Sequence, residues 1–547
     1  MPEILTTSFK SDSTRLFIDS LASDAYYLVV SSIGTFDPAD TLYSKNQFLE
    51  KILFGKRVNP NDIHYAIKYY PWQVGNTYTE YDDKVDLTGQ NFYAVVGPND
   101  NDTGDYRVYK CLRNNNNGVT SNPPNYDAAV INQRYETADG YVWKYMYRLT
   151  SLQFEAYAAV GYIPILGLLD SDPVPTDKGS ISDIVVDNRD DNQGYQVVTG
   201  SLIDSADVTG IMNIDPGAGW SPRDDYYSGQ FLYSTNPNGV SHIFEVFDYS
   251  YEPNTGVATV RVGQELVSGD ADPVTAGVTT NASIRIVPKV LIQGDGISTT
   301  NPNYTAVGVP NIVDGRIDSV DLLEPGIGYS NAIVTVVDPQ FDFDPDDPNS
   351  TVVRASLRAR ISPPGGHGFN IIDELRCRNF SMYAYITADD NTQIGDSNTY
   401  GAVGLIRNPN FNIANPVIFD NRIAITTSDI GNVTTNATLT QVNADNDVVF
   451  SGFVHEVDVT TNTFYLCEYM GPYRNNSATG QGDVSLDLTL PLRNETGQTI
   501  TINSPVASNV TMSPYTQRSG EVYFMENFFP LPRTDNSREE FKFVLEY

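Results

Sequence analysis

Cysteine, histidine and positive charge are scarce in this chain, and each scarcity removes a class of function. The three cysteines, Cys111, Cys377 and Cys467, lie scores or hundreds of residues apart with no paired spacing. That argues against a disulfide framework or a zinc site and fits a reducing compartment. The four histidines, His64, His242, His367 and His455, join no His/Cys cluster of ligand spacing, so no metal or other cofactor is expected. Lys+Arg number 34 against 68 Asp+Glu, a formal charge of −34 and an isoelectric point of about 4.3. Nucleic-acid binding rests on basic residues that release counterions, so no nucleic-acid partner is expected. An anionic membrane surface is disfavoured on the same ground. The longest apolar run, Ala156 to Leu169, is shorter than a bilayer requires and is broken by Gly161, Pro164 and Gly167. The opening MPEILTTSFKSD has no basic region followed by an apolar stretch, so it does not read as a signal peptide. The expectation is a soluble product, made and used in a cytoplasm.

What is present is apolar and aromatic. Hydrophobic residues make up 40% of the 547 positions, enough to build several buried cores and to argue against wholesale disorder. At roughly 150 residues per domain, about three or four units are expected. Helical spacing is confined to the first 160 residues: Asp12–Leu21, Asp40–Phe54 and Ser151–Ala158. In the second of these Phe48, Leu49, Ile52 and Leu53 recur at helical intervals, Asp40 is placed to cap the start, and Gly55 to end it. The rest reads as strand and turn. Tyr26–Val30 is β-branched and aromatic. At the C-terminus Phe541, Phe543, Leu545 and Tyr547 alternate with Lys542, Val544 and Glu546, the period of a half-buried strand.

Texture changes twice along the chain. Residues 173–362 are short strands divided by Asp, Asn, Gly and Pro. Two stretches there look like copies of one hairpin, strand then glycine turn then aromatic then strand. One is Ile181–Val186 with Gly194-Tyr195 and Val197-Val198; the other is Arg316–Val320 with Gly328-Tyr329 and Ile333–Val336. A weaker third runs from Ile211 to Trp220. A separate hairpin joins His242–Phe247 to Val257–Val262. The second change covers 417–510, where Phe453–Val459 turns at Thr461-Asn462 into Phe464–Cys467. Both stretches read as inserted β modules. The fold class expected is therefore mainly β and multi-domain: a β-sandwich-like core with a few short helices near the N-terminus and two inserted β domains.

No enzyme motif survives scrutiny. With 68 acidic residues, carboxylate pairs suited to glycoside cleavage arise by chance everywhere. Asp342-x-Asp344-x-Asp346 offers alternate oxygens to calcium but meets Pro348 where a calcium loop needs glycine, so a solvated acidic loop closing the first insertion is the plainer reading. His455-Glu456 begins like H-E-x-x-H, but Val459 stands in place of the second histidine. Gly365-Gly366-His367-Gly368 lacks both the phosphate-loop lysine and the dinucleotide spacing and reads as a bend between domains. No catalytic residue is expected.

Six segments, in order, resemble one family. Asp139-Gly140-Tyr141-Val142-Trp143-Lys144-Tyr145 is similar to a G-D-G-Y-V-W-x-Y segment. Ser519-Gly520-Glu521-Val522-Tyr523-Phe524-Met525-Glu526-Asn527, followed by Pro530, is similar to S-G-E-x-x-Y-M-E-N-x-x-P. Val108–Leu112 resembles V-Y-R-C-L. Pro71-Trp72, Thr7–Lys10 and Leu405–Pro409 find less distinctive counterparts. The family is the baseplate wedge protein known as gene product eight in T-even-type contractile-tailed bacteriophages. The signature positions are Trp72, Gly140, Tyr141, Trp143, Gly520, Glu521, Met525, Glu526 and Asn527.

The resemblance spans 1–172, 363–416 and 511–547, leaving 173–362 and 417–510 as insertions. It implies a single scaffold in which residues 1–172, with their helices, continue through 363–416 and are completed by the strands of 511–547. It further implies a non-enzymatic subunit of the virion tail baseplate, assembled in the host cytoplasm, that pairs with itself as a homodimer and contacts other wedge proteins. The alternative from another class is a glycan-binding or glycan-cleaving tail protein, with a host-surface glycan as partner and the 173–362 insertion as its surface. There Tyr195, Trp220 and Tyr329 beside acidic turns would stack on sugar.

Overall fold

The computed structural model describes residues 7–32, 41–98, 104–125, 135–159, 161–166, 177–191, 193–298, 305–338, 353–387, 399–470, 473–475, 482–484, 486–504, 506–532 and 538–546. The fold is mainly β, with many antiparallel sheets and short helices. Asp40, Tyr547 and the acidic stretch Phe341–Ser350, with its calcium-like spacing, lie outside the described residues.

The chain divides into two compact units, each built from separated stretches. One comprises Met1–Lys68, Gln153–Pro164 and Arg378–Tyr547; the other comprises Tyr69–Leu152 and Ile165–Cys377. These limits differ from the boundaries that composition and resemblance suggest. Residues 69–152, expected to share the scaffold of the C-terminal strands, pack instead with 165–377. The expected inserted module at 417–510 lies within the first unit.

In the first unit two sheets enclose a core. One runs in the order Ile418–Asp420, Ile52–Arg57, Tyr26–Ser31, Thr399–Arg407, Glu521–Pro532; the other runs Glu539–Glu546, Asn379–Ile386, Ile63–Lys68, Tyr162–Ile165. Leu28, Val30, Val403 and Leu405 of the first sheet meet Ile63, Phe380, Met382 and Ile386 of the second. Alternation along each strand makes this possible, since every second side chain points inward. Phe541, Phe543 and Leu545 pack on the same core, as their period of two anticipates. The helix Thr7–Ser20 adds Phe17, whose ring stacks on Phe380 with centroids 4.0 Å apart. A seven-stranded sheet, including the hairpin Val448–Asp458/Thr463–Met470, encloses its own core of Ile423, Leu439, Phe450, Val454, Phe464 and Leu466.

The helix expected over Asp40–Phe54 is shorter. It runs Leu42–Glu50, with the Thr41 side chain accepting the Ser44 N–H, and Ile52–Arg57 is a strand. Ile52, Leu53 and Phe54 are all buried. A strand covered on both faces reads as a continuous apolar run, which here extends a helical pattern by coincidence. Gly55 is not a helix stop; it pairs with Val29 and Phe419 in neighbouring strands. The third helix, Ser151–Tyr157, is where the sequence places it.

The second unit holds a four-stranded sheet in the order Tyr93–Val96, Tyr106–Asn114, Tyr141–Leu149, Tyr135–Glu136. It also holds a closed six-stranded barrel formed by Val198–Leu202, Ile211–Pro216, Val257–Glu265, Ser241–Glu252, Phe231–Thr235 and Ser283–Val287. The barrel was not foreseen, although its Ser241–Glu252/Val257–Glu265 hairpin was. The two look-alike hairpin copies are not hairpins. Ile181–Val186 pairs with Leu357–Ile361, and Val198–Leu202 joins the barrel. Arg316–Glu324 pairs with Val307–Val313, whereas Ala332–Val337 pairs with Lys289–Gly294. Local pattern identifies strands but not their partners when the connection is long.

Candidate functional site

The two most specific resembling segments each carry a glycine, Gly140 and Gly520, immediately before a long strand. Gly140 has φ +78°, and a Cβ there would lie 2.9 Å from the Asn115 side chain. Left-handed backbone is free to glycine and strained for other residues. Just before it, Asp139 accepts hydrogen bonds from Thr120 Oγ1 (2.9 Å), Ser121 N (2.6 Å), Asn122 N (2.9 Å) and the Thr137 hydroxyl. Burial works to raise its pKa, but these donors outweigh it and hold the carboxyl well below the usual range. The turn is thereby fixed.

From that turn Tyr141 and Trp143 enter a cluster with Tyr78, Ala94, Tyr109, Cys111 and Tyr145, against which Trp72 is partly buried. Trp143 is fully buried, with Tyr78 edge-on at 5.1 Å. The Tyr141 hydroxyl donates to Gly118 O (2.6 Å) and accepts from Tyr78 N (3.3 Å). An aromatic body with a satisfied polar tip suits a sheet core.

The C-terminal signature repeats the device. Gly520 has φ +90°, and its added Cβ would lie 3.2 Å from Arg407 O and Pro409 Cα. Glu521 pairs with Arg407 at 3.4 Å, an exposed and therefore weak contact. Met525, opposite Gly404, is partly buried against Tyr27, Phe48 and Phe419. Glu526 is exposed opposite Val403, and Asn527 is half-buried opposite Ala402. Thus Trp72, Gly140, Tyr141 and Trp143 come together in one unit, and Gly520 to Asn527 lie along one strand of the other. The two sets fall in different compact units and in separate clusters of buried side chains, whereas the resemblance implies a single scaffold.

Two charged networks were not visible in the sequence. In the first unit Arg422, 2% exposed, binds Asp420 (2.6 Å) and Glu456 (2.8 Å) and lies 4.5 Å over the Tyr465 ring. His455, the apparent start of a zinc motif, is instead a half-buried imidazole held toward its neutral form. Burial and then Arg422 lower its pKa to about 4.

In the second unit the Gly365–Gly368 segment is no simple bend. It places His367 and Gly368 against Lys110, which projects inward from the Tyr106–Asn114 strand. Lys110 Nζ contacts Glu374 Oε2 and lies 2.8 Å from His367 Nδ1 and 3.8 Å from the Tyr81 ring centroid. Burial drives the Lys110 pKa down against the pull of Glu374. Glu374, which burial alone would raise, is held low by His367 and Lys110. Lys110 is one of three basic residues on its strand, with Arg107 and Arg113, so its sequence surroundings do not single it out as the one with a buried partner.

Close to the Arg360 ion pairs with Glu80 (2.5 Å) and Asp183 (3.3 Å) lies a polar recess of about 560 Å³, lined also by Asn114, Asn117 and Asp187. Of the rings suggested for sugar stacking, Tyr195 and Tyr329 are 5% and 3% exposed. Their hydroxyls accept from Ala355 N and Ala306 N, which makes them core residues. Trp220 is half-buried, its indole N–H donating to Thr199 O.

Among the described residues no group of three or more His, Cys, Asp or Glu is placed to hold a metal ion. No helix among them is long and apolar enough to cross a membrane. No family model matches the chain, and no curated protein matches it.

Proposed function

We propose that this chain is a non-enzymatic structural subunit of a phage tail baseplate wedge, acting through protein–protein interfaces in tail assembly and baseplate rearrangement. It pairs with itself and contacts other wedge proteins in the virion, having been assembled in the host cytoplasm. The observation that carries the reading is the structural role of the two most specific resembling segments. In both, the glycine that the resemblance picks out sits at positive φ at the start of a long sheet strand. Such positions tolerate little substitution, so they are where a shared backbone would leave a sequence trace. Sheets with buried aromatic layers give rigidity, and the net charge of −34 favours solubility until complementary partners arrive.

Electron microscopy of purified contractile-tail particles, with an antibody to this chain, tests the reading directly: label at the baseplate is expected, and label confined to the capsid or absent from particles overturns it. Light scattering of the isolated protein is expected to give a dimer at micromolar concentration.

A further inference from the structure

The cluster around Lys110 goes beyond an ion pair. Lys110 and Glu374 side chains are 0% and 3% exposed, whereas another Lys–Glu pair, Lys289 and Glu245, is 20% and 27% exposed and open to water. The two oxygens of Glu374 also face different chemistry. Oε1 accepts from Gly368 N at 2.9 Å and Asn370 N at 3.2 Å. Oε2 accepts from Gly368 N at 2.9 Å, touches Lys110 Nζ, and lies 3.7 Å from His367 Nδ1. An amine, a carboxyl carbon, a pair of N–H donors on one oxygen and a neutral imidazole beside the other are the parts of an acyl-transfer site.

The geometry points to an amide bond formed within the folded chain between Lys110 Nζ and Glu374 Cδ. Burial pushes Lys110 toward the neutral amine while His367 and Lys110 favour the Glu374 carboxylate. The reactive form is therefore a minor state of the pair, in which one proton has passed from the ammonium to the carboxylate to give a neutral amine and a neutral acid. The amine lone pair then attacks Cδ, and the carbonyl electron pair moves onto Oε1, where Gly368 and Asn370 N–H groups stand ready. His367 Nδ1, 2.8 Å from Nζ, takes a proton from the attacking nitrogen and returns it to Oε2. The Cδ–Oε2 bond breaks and water leaves. One N–C bond forms, one C–O bond breaks, and nothing is oxidised or reduced. Burial keeps His367 neutral, as this role requires; its pKa is lowered to about 4 by desolvation and then by Lys110. Fixed contact between the reacting groups supplies the effective concentration that the uncatalysed condensation lacks.

The product ties residues 264 apart in sequence. Intact mass spectrometry of the full, denatured chain tests it. The expected mass is lower than the sequence mass by one water, with a branched tryptic peptide joining Lys110 to Glu374 and no cleavage after Lys110. Lys110→Met should have its plain sequence mass. Glu374→Gln should lose ammonia instead of water and converge on the same branched peptide, an outcome that a simple ion pair cannot produce. His367→Ala should leave a larger unbridged fraction at a fixed time after synthesis. Folded wild-type protein with the unmodified sequence mass and normal cleavage after Lys110 overturns the inference, whether or not the variants fold.

Discussion

The ring of Tyr141 stacks on the indole of Trp143, centroids 5.4 Å apart and planes 15° from parallel, although the two residues are neighbours but one on a single strand. Same-face residues of a strand are separated by two positions, so this pair forms one continuous aromatic slab against Tyr78. Trp143→Ala removes the slab's centre from a fully buried site and is expected to lower stability by about 3–5 kcal/mol. Tyr141→Phe keeps the ring but leaves Gly118 O without its donor, and is expected to lower it by about 1–2 kcal/mol. Urea unfolding followed by fluorescence of Trp72 and Trp220, which lie in the same unit, measures both. Equal effects from the two substitutions would contradict the packing account.

Substitution of Gly140 or of Gly520 by alanine is expected to lower stability. Each adopts positive φ, so a Cβ costs about 1–2 kcal/mol in backbone strain before crowding is added. Gly520 meets backbone atoms of Arg407 and Pro409, which cannot swing away, whereas Gly140 meets the end of the Asn115 side chain. The Gly520→Ala loss should therefore be the larger in thermal melts. A reversed order would mean that the Asn115 contact is the more rigid.

How much of this was legible in the sequence depends on the range of the interaction. Tyr26–Ser31, Ser151–Tyr157 and Glu539–Glu546 show their type through local spacing, and each folds as that spacing implies. Ile52–Arg57 misleads because a strand buried on both faces has no period to display. The barrel and the Arg316–Glu324 pairing were hidden because partner choice depends on contacts closed over long loops. The Lys110–His367–Glu374 cluster was hidden for the same reason: its members are 257 and 264 residues from Lys110, and nothing near Lys110 names them. The division into two units was obscured by reading resemblance as continuity. Segments that resemble one family in the same order need not share a core.

Arg422 tests what buried charge does here. Its guanidinium satisfies Asp420 and Glu456 while almost wholly removed from water. Arg422→Met leaves two carboxylates facing each other without a cation and is expected to cost about 3–5 kcal/mol. Adding Asp420→Asn and Glu456→Gln to that change should recover part of the loss, because the unpaired negative charges are then gone. Denaturation followed by far-UV circular dichroism decides: a triple variant no more stable than Arg422→Met would place the loss in packing against Tyr465 instead.

Acid should destabilise the protein in two stages. His367 is buried and His455 half-buried, each with a pKa lowered to about 4 from an ordinary value of 6.5. Burial is the main cause for both, and Arg422 adds to it for His455. In the unbridged chain Lys110 adds to it for His367, where Glu374 and Asp177 oppose; an amide between Lys110 and Glu374 removes both their charges and leaves burial dominant. Because the unfolded chain takes up these protons first, stability is complete above pH 6.5 and falls as pH drops toward 4, by about 3 kcal/mol per histidine. Below that a second stage begins. Asp295 and Asp458, held near 2 by hydrogen bonds from Ser330 and from Thr460 and Thr461, protonate in the unfolded chain near its ordinary carboxyl pKa and in the folded chain only lower. Their contribution is lost as pH falls from about 4 toward 2. Urea midpoints measured from pH 8 to pH 3 should therefore decline first across the imidazole range. His455→Gln, which removes one of these two imidazoles, should flatten that upper limb by about half while leaving the lower one in place. A midpoint constant between pH 7 and pH 4.5 would mean that these histidines reach water in the folded protein.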